Sequence, residues 1–78
     1  MPDTAATGAL KEWAIRSGDT LRMERHRRRL SQAQVAEKAG VDQTTVSKVE
    51  SGGGLIDSFV AIARALNVGL PAPEIKAS

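Results

Sequence analysis

Apolar positions in the stretch LSQAQVAEKAGVDQTTVSKVESG, residues 30–52, are spaced for two short helices joined by a tight turn. Ser31 with Gln34 three residues on makes a capping box, and Leu30 before it can staple onto Val35, so a helix starts near Gln32. Val35, Ala36 and Ala39 are its inward positions, and Gly40 follows as the residue most at ease in the left-handed conformation that ends a helix. Asp42 is the expected N-cap of the next helix, with Val41 stapled onto Val46, and with Val46 and Val49 forming a narrow apolar seam. The remaining face of that helix is polar. Further along, Ile56, Phe59, Ile62, Ala63 and Leu66 recur at helical spacing and predict a helix from Ile56 or Asp57 to Leu66, with Asn67 as a left-handed end. Val60 falls beside this stripe. It is either partly buried or, with Val68 and Leu70, part of an apolar surface for a second subunit.

Upstream, Leu10, Trp13, Ala14 and Leu21 are compatible with helix, although Gly18 in their midst costs up to about 1 kcal/mol relative to Ala. Two readings are open: one helix over residues 10–28, which is favoured, or a short lead-in before a helix starting near Ser17. Trp13 is read as an amphipathic lid on the core, with a nucleic-acid or partner contact as the lesser alternative. Residues 1–9 are small and polar and are expected to be disordered, ahead of one domain over residues 10–68. Residues 69–78 form a short tail, broken by Pro71 and Pro73, with no room for an effector domain.

Composition narrows the fold. A chain of 78 residues with one Trp, one Phe and no Tyr must build a shallow aliphatic core, and a domain of this size buries only about 60% of its unfolded surface. Both features suit an all-α bundle of four or five helices. The absence of cysteine excludes a disulfide framework and a thiolate metal site, and fits a reducing compartment. No apolar run is long enough to span a membrane and no signal-peptide pattern is present, so a cytoplasmic protein with no membrane partner is expected. His26 has no metal-ligand partner, and no carboxylate pair stands at a useful spacing. No catalytic residue, metal or cofactor is therefore expected, and an enzyme is not.

Net charge is only +2, yet Arg22, Arg25, Arg27, Arg28 and Arg29 crowd together, and a local patch matters more than the total. Arg25 lies on the inward Leu21 face and needs an acid; Glu50, at the end of the second short helix, is the candidate for a structural ion pair. Arg27, Arg28 and Arg29 are either a solvated helix end or, since they directly precede the two-helix unit, contacts to phosphate.

Two helices of about eight residues, joined by a short turn containing Gly, match the helix-turn-helix unit of DNA-binding proteins, here at about residues 31–51. The wider pattern resembles the lambdoid repressor and Cro-type helix-turn-helix family, often called the XRE family. It covers residues 21–68 and rests on Leu21, Arg22 and Arg25; on Leu30, Ser31 and Gln32; on Ala39, Gly40 and Val41; on Gln43, Val46 and Ser47; on Glu50 and Gly52; and on the final IARAL helix. The resemblance implies a lambda-repressor-like bundle whose third helix, residues 43–50, enters the major groove of double-stranded DNA. It also implies a transcriptional regulator, usually a homodimer on an inverted-repeat operator with half-sites about 34 Å apart.

Carried over by position, the resemblance assigns base contacts to Gln43, Thr44 and Lys48, with Ser47 close to the rim. The chemistry suits them. Gln can pair with adenine N6 and N7, Lys can donate to guanine O6 and N7, and the threonine methyl can pack on that of thymine. Gln32 matches a family position that meets phosphate and can also brace Gln43. Thr45 either touches phosphate or occupies a capping turn.

Three departures stand out. Glu24 occupies a place that is often apolar, so Met23 or a neighbour's stem must fill the gap, or the helix packs differently. Arg29 stands where Gly is frequent. The loop over residues 51–54 lacks a proline before the next helix, and it is a connector rather than a phosphate cradle because no Gly-Lys-Ser/Thr follows. The expected function is a small repressor or autorepressor, cytoplasmic and associated with the nucleoid. The alternative is an antitoxin that neutralises a toxin or other protein partner and also binds its own operator.

Overall fold

The computed structural model describes residues 4–73, in which the chain forms four helices: α1 (Thr4–Arg27), α2 (Gln32–Ala39), α3 (Gln43–Glu50) and α4 (Ile56–Leu66). There is no strand among the described residues. α2 and α3 pack on each other and on α4, and α1 packs against α3 and α4. Leu21, Val35, Val46, Val49, Phe59, Ile62 and Leu66 fill the centre and are sealed from solvent. Trp13 lies half-buried over them with its ring 5.0 Å from that of Phe59, as a lid should.

Three of the helices end in the same way. Leu30 N–H donates to the Arg25 carbonyl, Val41 N–H to Ala36 and Val68 N–H to Ala63, while the residue before each donor turns back to a carbonyl three residues earlier. This is the Schellman arrangement, which needs a left-handed residue followed by an apolar one. Arg29 (φ 56°), Gly40 (φ 72°) and Asn67 (φ 55°) take the left-handed place. Leu30, Val41 and Val68 follow them, and all three pack on the core. At the start of α2 the expected capping box is complete, with Ser31 Oγ accepting from Gln34 N–H and Gln34 Oε1 accepting from Ser31 N–H.

Other local expectations need correcting. Asp42 sits at the N-cap of α3 with an extended backbone, but its side chain makes no capping hydrogen bond. Ile56, placed in the inward stripe of α4, is 41% exposed because it precedes the turn that reaches the core. Met23 is 60% exposed and fills no gap beside Glu24, whose carboxylate instead pairs with Arg27 and Arg28. α1 is one unbroken helix that starts earlier than Leu10. Residues 4–9 are helical, and of the segment expected to be disordered only residues 1–3 lie outside the described ones.

Gly18, whose helical cost had no evident return, is buried where α1 meets the end of α3. A Cβ there would stand 2.1 Å from the Val49 carbonyl oxygen. Only glycine lets the two backbones approach this closely. The C-terminal segment also belongs to the fold: Val68 and Leu70 pack on the core, and Trp13 Nε1 donates to the Pro71 carbonyl. Residues 74–78 lie outside the described residues. Among the described residues no helix is long and apolar enough to cross a membrane.

Candidate nucleic-acid interface

α3 divides cleanly into two sides. At about 100° per residue, Gln43, Ser47, Thr44 and Lys48 fall in that order within an arc of about 140°. All four are exposed. The remaining positions complete the circle inward: Val46 and Val49 are buried, and Thr45 and Glu50 are half-buried. Two β-branched valines on a narrow seam are therefore enough to fix which four side chains point outward, and they are the four assigned to base contact.

A buried network holds the far end of this helix. Arg25 on α1 donates through Nε to Glu50 Oε2 at 2.6 Å and through Nη2 to Glu50 Oε1 at 3.0 Å, a fork-to-fork pair. Its Nη1 donates to the Leu30 carbonyl at 2.9 Å, and Nη2 lies 3.3 Å from His26 Nε2. Gln32 Nε2 donates to Glu50 Oε1 at 3.1 Å. The network thus joins α1, the entry to α2 and the last residue of α3. Burial raises the pKa of Glu50, but the hydrogen bonds from Arg25 and Gln32 more than offset it, so the carboxyl stays below its ordinary value and is ionised at neutral pH. The side chains of Arg25 and Glu50 are only 11% and 5% exposed, which leaves little water to replace a lost partner.

Gln32 is therefore committed differently from expectation. Its amide braces Glu50 rather than Gln43, and the side chain is half-buried at the first turn of α2. The arginine cluster is also less free than its composition suggests. Arg22 pairs with Asp19 at 2.6 Å, Arg27 pairs with Glu24, and Arg28 Nε reaches the same Glu24 carboxylate at 2.8 Å. Hydrogen bonds from Arg27 and then Arg28 hold the Glu24 carboxyl down at about 2. Among the described residues Arg29 and Lys48 have no acidic partner within salt-bridge distance; both are exposed, and Arg29 sits at the left-handed exit of α1. Of the three arginines expected at phosphate, Arg27 and Arg28 are held on Glu24, and Arg29 has no acidic partner among the described residues.

After α3 the chain turns sharply. Ser51 N–H and Gly53 N–H both donate to the Lys48 carbonyl, and Gly52 (φ 87°) packs under Ile15 of α1. Sequence reasoning missed this contact and the Gly18 approach, because each depends on a partner more than thirty residues away.

Residues 17–74 match the family model described as a helix-turn-helix domain. No curated protein and no solved structure matches the chain significantly. With most of its length matched, the chain belongs to the helix-turn-helix family and is a DNA-binding domain of the Cro-like kind.

Proposed function

We propose that the protein is a sequence-specific transcriptional regulator, a repressor or autorepressor that lays α3 in the major groove of an inverted-repeat operator. Gln43, Thr44 and Lys48 read base edges, and Ser47 lies at the rim of that surface. Gln32, Thr45, Arg29 and, after exchange from Glu24, Arg27 and Arg28 position the duplex through phosphates. The observation that carries this reading is the two-sided α3, whose four exposed polar side chains form one continuous arc while its other positions are turned toward the core. Base contacts of this kind need a helix that cannot roll, and the Arg25–Glu50–Gln32 network supplies the restraint.

Footprinting on DNA upstream of the protein's own gene, at several salt concentrations beside scrambled DNA, tests the reading. It predicts a protected, two-fold symmetric site preferred over the scramble. Equal, steeply salt-dependent binding to both would leave only phosphate attraction. No binding to either would refute the reading and turn attention to a protein partner.

A further inference from the structure

α4 is as two-sided as α3. Phe59, Ile62, Ala63 and Leu66 are buried, whereas Ile56, Asp57, Val60, Arg64 and Asn67 are exposed. Apolar surface is concentrated here: Ile56 is 41% and Val60 42% exposed, and Leu55, just before the helix, is 73% exposed. Val68, Leu70 and Pro71 border the same groove, so the apolar surface continues past the helix. The charges on this face are arranged as well. Asp57 and Arg64 lie about 10.5 Å apart along the helix on the same side, with Val60 close to midway. Neither forms a salt bridge among the described residues.

A helix with opposite charges placed evenly about an apolar centre is complementary to its own antiparallel copy. A two-fold axis beside Val60 brings Asp57 of each copy against Arg64 of the other, twice over, while Val60 meets Val60. A parallel copy would set like charges side by side. We propose that this face joins two copies of the chain, α4 against α4 in antiparallel orientation. The proposal deepens the reading of a dimeric regulator and rests on it. The patch is one three-turn helix with a narrow apolar border, small beside the roughly 800 Å² per partner of a stable complex. The dimer is therefore weak in free solution, and a duplex carrying two half-sites supplies the effective concentration that completes it. None of these residues belongs to the exposed arc of α3, so pairing leaves the reading surface open.

The chain has no cysteine, so a single introduced thiol reports the contact without background. Under mild oxidation Val60→Cys should form a disulfide-linked dimer at least tenfold faster than Lys11→Cys, an exposed position on α1. In the Val60→Cys background, Asp57→Arg or Arg64→Asp alone turns both ion pairs into repulsions and should slow crosslinking by roughly tenfold. The two together reverse both charges and should restore it. A rate for Val60→Cys no greater than for Lys11→Cys, or single swaps without effect, overturns the proposal. Binding to a duplex carrying one half-site should be unchanged by the swaps. If the protein binds no DNA while crosslinking follows the expected order, the interface stands and the DNA-reading account is what fails.

Discussion

Gly18 and Arg29 are two residues at which local propensity and tertiary structure give opposite advice. Helix propensity alone says that Gly18→Ala should stabilise α1 by about 1 kcal/mol. The new Cβ, 2.1 Å from the Val49 carbonyl oxygen, must instead push α1 off α3, and the expected result is a net loss of about 1 to 3 kcal/mol in chemical denaturation. A gain would show that the two backbones are not in contact. At Arg29 the sign reverses. Its left-handed backbone favours glycine, so Arg29→Gly should raise stability by up to about 1 kcal/mol while weakening DNA binding through the lost cation. A variant that melts earlier would refute the strain, and one that binds DNA unchanged would remove Arg29 from the phosphate contacts.

The Arg25–Glu50 pair carries a larger effect. Either Arg25→Met or Glu50→Gln leaves a buried group without its partner and should cost about 3 kcal/mol, with the double variant less harmful than the sum. Additive losses would mean that the two side chains do not act together. Acid should show the same dependence. The carboxyls of Glu24 and Glu50 both lie below their ordinary value in the folded chain, so their contribution is complete above that value and is lost as pH falls through the folded pKa. For Glu24 the window runs from 4.5 down to about 2. Melting temperature should fall across it, and Glu24→Gln should flatten part of the decline.

Among the elements, α2, α3 and α4 were legible almost to the residue because their punctuation is local: Ser31 with Gln34, then Gly40, then Asn67. The inward seam of α3 was legible for the same reason, and with it the four outward side chains. What escaped depends on distance in sequence. The amino end of α1 carries no start signal, and the purpose of Gly18 appears only when Val49 arrives beside it. Gln32 is expected at phosphate, with Gln43 as a side chain it can also brace, whereas its amide bonds to Glu50, which already accepts the Arg25 fork. The return of the C-terminal segment over Trp13 could not be read from two prolines. That contact closes the domain between its two ends, so Trp13→Ala should cost about 2 kcal/mol through lost packing on Phe59 and the lost bond to Pro71. Trp13 is the only tryptophan, so its fluorescence should shift to the red in a single transition coincident with loss of helix; an earlier shift would mean that the lid opens by itself.

For the molecule as a whole, stability and recognition are assigned to different surfaces. Most of the arginine charge is spent within the fold, on Asp19, Glu24 and Glu50; the Glu50 pair ties α1 to α3, and among the described residues Arg29, Lys38 and Lys48 are the cations in or beside the motif without an acidic partner. A protein of net charge +2 built in this way should have modest non-specific attraction for DNA, and the proposed function places discrimination in the exposed arc of α3. In that proposed function Gln43 and Lys48 read bases. The direct measurement is binding of the wild type, Gln43→Ala and Lys48→Ala to the tightest duplex selected from random sequence and to a scrambled duplex of equal length, in the same salt. Each substitution should cost about 1 to 3 kcal/mol on the selected site and far less on the scramble, so that the ratio of affinities collapses. Equal losses on both duplexes, or none on either, would contradict the account.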